Sequence, residues 1–211
     1  MPNYNEICNA VVNGDEAKVK ELTQKLIDAG SDPLDIINKG LIAGMDVVGP
    51  RFKNGEMFVP EVLMAAKVMG SGVKIVKTVM ADDEMPSNGI FVIGTVEGDL
   101  HDIGKNLVAM LVESAGFKVI NLGIDLSAEA FVNAVKEHNP DILGLSALLT
   151  TTMKNMKDVI DALKEAGLKD KVKVIIGGAP ITQSFADEIG ADGFASDAAS
   201  AAELCKKMLA E

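Results

Sequence analysis

Through the first third of the chain, apolar positions recur every three to four residues. Val19, Leu22, Leu26 and Ile27 share one helical face. So do Ile36, Ile37, Leu41, Met45 and Val48, and then Val62, Leu63, Ala66, Met69, Val73 and Val76. Gly14-Asp15-Glu16 reads as a helix start, with Asp15 as cap and acidic charge in the first turn. Ala29-Gly30 stops that helix, and Ser31-Asp32-Pro33 opens the next with Pro33 at its first position. Gly49-Pro50 is expected to end or kink it, and Pro60 to open another. Residues 1–82 thus read as a bundle of four amphipathic helices.

The period changes after a polar, Pro- and Gly-containing stretch over 81–89, whose residues 83–89 read as a linker. Short apolar runs follow at Ile90–Gly94, Val119–Leu122, Ile142–Leu145 and Val174–Ile176, with a fifth near Gly193-Phe194-Ala195. Helical patterns separate them near 104–115, 127–138, 152–166 and 180–189, and a last helix starts at Asp197. Strands alternating with helices imply an α/β unit over 90–211, a five-stranded parallel sheet wound on both faces.

Composition narrows the function. The chain has 211 residues, 48% of them hydrophobic but only 4% aromatic and none Trp, so the core must be aliphatic. A formal net charge of -11 argues against a nucleic-acid partner, which needs clustered Lys and Arg. No run of about 18 apolar residues is present to span a membrane. The first six residues lack the regions of a signal peptide, and Cys8 and Cys205 form no CxxC pair, so a reduced, cytoplasmic chain is expected. Both cysteines look inert, and most of the 11 Met read as core fillers.

Parallel sheets of this kind bind ligands at the carboxyl ends of their strands. The first strand ends at Thr95, and the loop after it, Val96-Glu97-Gly98-Asp99-Leu100-His101-Asp102-Ile103-Gly104, carries one of the chain's two histidines. A neutral imidazole is a good transition-metal ligand, and it usually needs an acceptor on its other ring nitrogen, which Asp99 is placed to supply. The third strand runs into Ser146-Ala147-Leu148-Leu149-Thr150-Thr151-Thr152, offering hydroxyls, and the fourth into Gly177-Gly178, where a ligand could approach the backbone closely. Against these stand plainer roles: Asp99 or Thr152 as a helix cap, Asp102 as a cap or surface residue, and His138 as a solvated surface side chain. Phe52, Phe58 and Val59 could likewise be bundle core.

Taken in order, Asp99-x-His101-x-x-Gly104, Ser146-x-Leu148 and Gly177-Gly178 resemble the cobalamin-binding family, above all corrinoid proteins of methyl-transfer systems and the corresponding part of methionine synthase. The stretch Gly49–Pro60 resembles the helical cap module that precedes that domain. The resemblance implies a Rossmann/flavodoxin-like cobalamin-binding domain behind a helical cap. It implies His101 as the lower axial cobalt ligand and Asp99 on its other nitrogen. Thr152, where the family usually has Ser, would complete a ligand relay. Gly104 belongs to the same motif, and Ser146, Leu148, Thr150, Gly177 and Gly178 would line a slot for the displaced nucleotide tail. Phe52 and Val59 would shield the upper face of the corrin.

The implied cofactor is cobalamin or a related corrinoid, cycling through Co(I), Co(II) and Co(III) with methylcobalamin as the loaded form. The implied function is a methyl carrier, not an enzyme on its own. Its partners would be a substrate:corrinoid methyltransferase and a methylcorrinoid:acceptor methyltransferase acting on tetrahydrofolate or a thiol, with a reductive activase as a further one. Two other classes compete. A cobalamin-dependent regulator would carry a DNA-binding module and, in light-sensing forms, Trp and His in the bundle. A radical-mutase small subunit would match residues 90–211 alone.

Overall fold

The computed structural model describes residues 3–80 and 87–210. Of the linker read at 83–89, residues 83–86 lie outside the described residues, as do residues 81–82 at the end of the expected bundle. The chain divides into two compact units, residues 1–87 with Ser114–Gly116 and residues 88–113 with 117–211.

The first unit is helical. Helix α1 (Tyr4–Val12) is followed by α2 (Glu16–Asp28), whose first turn is closed by the Asp15 carboxylate accepting the Lys18 N–H at 3.0 Å. A third rod begins as the short helix α3 (Pro33–Asp35), capped by Asp32, widens to a π-helical stretch over Ile36–Ile42, and continues as α4 (Ala43–Lys53). Helix α5 (Val59–Val76) starts one residue before Pro60, and its Glu61 carboxylate accepts the Phe58 N–H at 2.8 Å. Among the described residues, four helical rods are therefore present where four were expected. Of the two outcomes expected at Gly49-Pro50, an end or a kink, the end does not occur, since α4 runs three residues past Pro50. The missing Pro N–H removes one backbone bond near a helix end, and the Pro50 carbonyl still accepts the Asn54 N–H at 2.9 Å. Ile7, Val11, Val19, Ile36, Leu41, Val48, Val62 and Val76 make an aliphatic core with no exposed surface.

The second unit carries a five-stranded, wholly parallel sheet in the order β2-β1-β3-β4-β5. Its elements are β1 (Ile90–Thr95), α6 (Ile103–Ser114), β2 (Lys118–Asn121), α7 (Ala128–His138), β3 (Ile142–Ser146), α8 (Asn155–Glu165), β4 (Lys173–Gly177), α9 (Gln183–Ile189), β5 (Gly193–Ala195) and α10 (Ala198–Ala210). The strands are nearly continuous apolar runs, as expected of parallel strands covered on both faces. Phe91, Phe131, Leu143, Met156, Ile160 and Leu163 are fully buried around them. This is the flavodoxin-like strand order, and it reverses direction between β1 and β3, the switch point where such sheets open a crevice. Thr95, Ser146, Gly177 and Ala195 are register partners in one row. Four strands thus deliver their loops to the same edge.

Candidate functional site

The loop after β1 and the loop after β3 meet at the switch point, and Asp99 joins them. Its carboxylate is completely buried and accepts five hydrogen bonds. Oδ1 takes the His101 backbone N–H at 3.1 Å and the His101 ring Nδ1 at 2.7 Å. Oδ2 takes the Leu148 N–H at 2.8 Å, the Leu149 N–H at 3.3 Å and the Thr152 hydroxyl at 2.6 Å. The lone Thr152 hydroxyl proton has two acceptors in reach, but the Leu149 carbonyl is farther, at 3.0 Å, and neutral. Burial pushes the Asp99 carboxyl up, yet the bonds from Thr152, Leu148 and His101 outweigh it and hold it well below the usual carboxylate range.

An ionised Asp99 can only accept, so His101 Nδ1 carries a proton, and in the neutral imidazole this leaves the Nε2 lone pair available as a donor. The His101 side chain is half exposed, while its backbone is fixed by Thr95, a buried residue at the end of β1 whose hydroxyl donates to the His101 carbonyl at 2.9 Å. The arrangement is an oriented imidazole presenting one free nitrogen. Among the described residues, no group of three or more His, Cys, Asp or Glu could hold a metal ion by itself. The oriented His101 imidazole is a single nitrogen donor, which fits a metal that brings its own macrocycle.

Of the residues read from the sequence, Asp99, His101, Leu148 and Thr152 come together directly. The cap role fails for Thr152: α8 starts at Asn155, and the buried Thr152 turns its hydroxyl to Asp99. Ser146 is half-buried at the end of β3, and Thr150 is exposed in the following turn. Gly178 has a reason within the fold itself. Its φ is +135°, and an added Cβ would lie 1.8 Å from the Ala147 carbonyl oxygen, so only glycine lets the β4 loop pass the β3 loop. Gly104 is the opposite case, since a Cβ there would meet nothing within 4 Å. Packing does not demand this glycine, and it leaves a bare surface beside His101 that a broad ligand could touch.

Asp102 is exposed and accepts the Asn106 side-chain amide at 3.0 Å, in keeping with a surface role. His138 is half-buried at the end of α7, less solvated than expected. Burial pushes the Cys205 thiol up to about 12, as an inert cysteine requires. Phe52 is half-buried, but Phe58 and Val59 are exposed, so neither of those two is bundle core.

Sequence reasoning missed three features. The Leu148 and Leu149 amides that grip Asp99 are backbone groups, and no residue identity signals them. Thr95 reads as an ordinary strand end. Leu100 and Ile103 are 66% and 84% exposed, unusual for large apolar side chains, and with Leu148 and Leu149 they give the edge around His101 an apolar surface. Alternation of apolar residues with the motif's polar ones was the available signal.

Comparison with known proteins agrees with this geometry. Residues 89–204 match one family model described as a B12 binding domain, and residues 4–77 match a second with the same description. A corrinoid protein of Desulfitobacterium hafniense (strain Y51) is 48% identical over 99% of this chain and 98% of its own. The dimethylamine corrinoid protein of Methanosarcina barkeri is 46% identical over 97% of this chain and 96% of its own. Among solved structures, the methanol:cobalamin methyltransferase complex of Methanosarcina barkeri aligns with a TM-score of 0.87 at 36% identity, covering 98% of this chain and 79% of that one. A cobalamin-binding protein from Desulfitobacterium hafniense DCB-2 aligns at 0.84 and 34% identity, over 99% of both chains. The chain belongs to the B12-binding domain family, and its cofactor is cobalamin or a related corrinoid.

Proposed function

We propose that this protein is the methyl carrier of a corrinoid-dependent methyltransferase system, with His101 as the lower ligand to cobalt. The observation that carries the reading is the oriented imidazole, its Nδ1 held 2.7 Å from a buried carboxylate that four further donors keep ionised. Relatives named as dimethylamine and trimethylamine corrinoid proteins support the carrier role. The relatives with those names, at 46% and 43% identity, support a methylamine as donor. A substrate:corrinoid methyltransferase would load the methyl group, and a second methyltransferase would pass it to tetrahydrofolate or a thiol. Alone, the chain would carry the group without catalysing either transfer. The reading assigns residues 90–211 to the corrinoid and 1–82 to a helical unit, joined by 83–89.

Bound corrinoid supplies a cobalt centre able to accept a methyl group and release it. The protein's part is to hold and orient. His101 Nε2 offers the ligand, and Asp99 fixes the ring and its tautomer and raises its basicity. Thr152 and the Leu148 and Leu149 amides hold Asp99 in place. Leu100, Ile103, Leu148 and Leu149 would exclude water around the imidazole once a bound corrinoid covers them. Ser146, Thr150, Gly177 and Gly178 are assigned to the nucleotide tail, and Gly104 to close approach by the ring. Among the described residues no helix is long and apolar enough to cross a membrane.

The test is electron paramagnetic resonance of the protein reconstituted with cobalamin and held as Co(II). With nitrogen-15-labelled histidine in the protein and unlabelled cobalamin, a doublet from the protein imidazole is expected in place of the triplet that the cofactor's own base would give, and the doublet should vanish in His101→Ala. A triplet in the labelled wild-type protein, showing the cofactor's own base on cobalt, would refute the assignment.

A further inference from the structure

We propose that Asp125 is a positioning residue for the ligand loop, fixing how far His101 projects and so how firmly it holds the metal. The proposal rests on His101 being the cobalt ligand and adds a residue that no motif of the resemblance includes.

Asp125 lies between β2 and α7, in the left-handed region with φ at +55°. Few residues other than Gly, Asn and Asp adopt that conformation. It puts two groups of one residue onto the ligand loop. The Asp125 N–H donates to the Asp99 carbonyl at 3.1 Å, and the Asp125 carboxylate accepts the Gly98 N–H at 2.7 Å. The pairing of β1 with β2 leads up to this point. Beyond the strand ends, the Thr95 N–H bonds to the Gly123 carbonyl, the Leu126 N–H to the Thr95 carbonyl, and Val96 bridges Leu126. Asp125 extends that ladder onto the two residues that lead to the ligand.

A local explanation is excluded. Helix α7 already has its cap, since the Ser127 hydroxyl accepts the Ala130 N–H at 3.3 Å, so the Asp125 carboxylate is not needed there. From the other side, the Asn155 side-chain amide donates to the Glu97 carbonyl at 2.7 Å. From below, the Thr95 hydroxyl holds the His101 carbonyl. The loop is thus tied at Glu97, Gly98, Asp99 and His101 by three separate elements. Asp125 supplies two of those ties, one of them strengthened by charge.

The consequence follows from what stays fixed when Asp125 is lost. The Asp99 carboxylate remains gripped by Leu148, Leu149 and Thr152, but its own backbone is freed at Gly98, whose φ of +78° makes it a natural pivot. The backbone then shifts about a pinned side chain. His101 follows its backbone, so its ring and backbone N–H bonds to that pinned carboxylate lengthen or the imidazole turns to keep them.

Three variants separate the causes. Asp125→Asn keeps an oxygen acceptor without charge. Asp125→Ala removes the acceptor. Asp125→Gly removes it while suiting the left-handed backbone, so backbone strain cannot explain its effect. In the cofactor-free protein, amide hydrogen exchange at Gly98 and the proton resonance of the His101 Nδ1–H are measured. In cobalamin-loaded protein held as Co(II), the ratio of imidazole-bound to imidazole-free cobalt is read from the hyperfine doublet of nitrogen-15-labelled histidine.

Asp125→Ala and Asp125→Gly should lower that ratio about 10-fold, the low end of what losing a ligand's support costs, and Asp125→Asn by less. Gly98 exchange should rise in parallel. A wild-type ratio in Asp125→Gly overturns the proposal, as does a lowered melting temperature with the ratio and the Nδ1 resonance unmoved. If Asp125→Ala fails to fold, the Asn and Gly variants decide. If wild-type protein shows no imidazole splitting, His101 is not the ligand. Gly98 exchange and the Nδ1 resonance then test Asp125 independently.

Discussion

Thr152→Val removes a single hydroxyl, and the structure says where the loss falls. The Thr152 hydroxyl donates to Asp99 Oδ2 at 2.6 Å inside a site where the carboxylate has no exposed surface. The Leu149 carbonyl, its other neighbour, already accepts the Thr152 and Met153 N–H groups at 3.1 and 3.0 Å, so it is not orphaned. The cost therefore sits on Asp99. A hydrogen bond to a charged group contributes about 1.5–3 kcal/mol. A methyl carbon cannot occupy the hydroxyl's place so close to an oxygen, so Oδ2 must also retreat from the Leu148 and Leu149 amides. Together these put Thr152→Val near the top of that range, about 3 kcal/mol.

Thr152→Ser keeps the hydroxyl and loses one buried methyl, about 0.8 kcal/mol. Thr152→Val should therefore cost about 2 kcal/mol more than Thr152→Ser, a gap set by the loss of the bond to Asp99 less the methyl that Ser gives up. Urea unfolding of the cofactor-free protein, followed by circular dichroism, measures it. In thermal melts the same difference is roughly 6–10 °C, at about 3–5 °C per kcal/mol for a unit of this size. Val and Ser variants agreeing to within about 0.5 kcal/mol, well below the expected bond strength, would refute the view that this hydroxyl holds the carboxylate.

The remaining predictions use the same site and one position outside it. Folding lowers the Asp99 carboxyl below its unfolded value of about 3.9, so its stabilisation is present above about pH 4 and is lost as pH falls toward the folded value. Asp99→Asn removes that dependence. The gap in unfolding free energy between wild type and variant should be constant above about pH 5 and narrow below about pH 4, and an unchanged gap in acid would count against it. Gly178→Ala should cost more than about 3 kcal/mol, because of its positive φ and a Cβ 1.8 Å from a carbonyl oxygen. Gly104→Ala, in open space in the first turn of α6, should leave cofactor-free stability unchanged or up to about 1 kcal/mol higher while weakening corrinoid binding by titration. Thr23, fully buried in α2 with a hydroxyl lacking any partner among the described residues, should be replaceable by Val with neutral effect or a gain of about 1 kcal/mol, read by urea unfolding.

The sequence by itself determined the element types, the strand positions and the pairing of Asp99 with His101 in the loop after β1. Each strand was legible to within a residue or two as an apolar run, and Asp99 and His101 stand two residues apart in one loop. Period and local spacing are properties of contiguous residues, so they survive without coordinates. Boundaries that depend on packing were less legible. The third rod runs through Pro50, and it widens to a π-helical stretch over Ile36–Ile42 that no local pattern announced.

Only the tertiary structure decided what holds Asp99 and His101. The Asp99 partners at Leu148, Leu149 and Thr152 lie 49, 50 and 53 residues away, and they meet it because β1 and β3 are sheet neighbours with Thr95 and Ser146 in register. Two of those partners are backbone amides, which carry no side-chain signature. Gly178 appeared in the sequence as room for a ligand, but the fold also needs it to pass the Ala147 carbonyl. Asp125 appeared as nothing at all, because its role comes from a left-handed turn that aims both its amide and its carboxylate at a loop more than twenty residues earlier, a distance of 27 in sequence for the Gly98 bond.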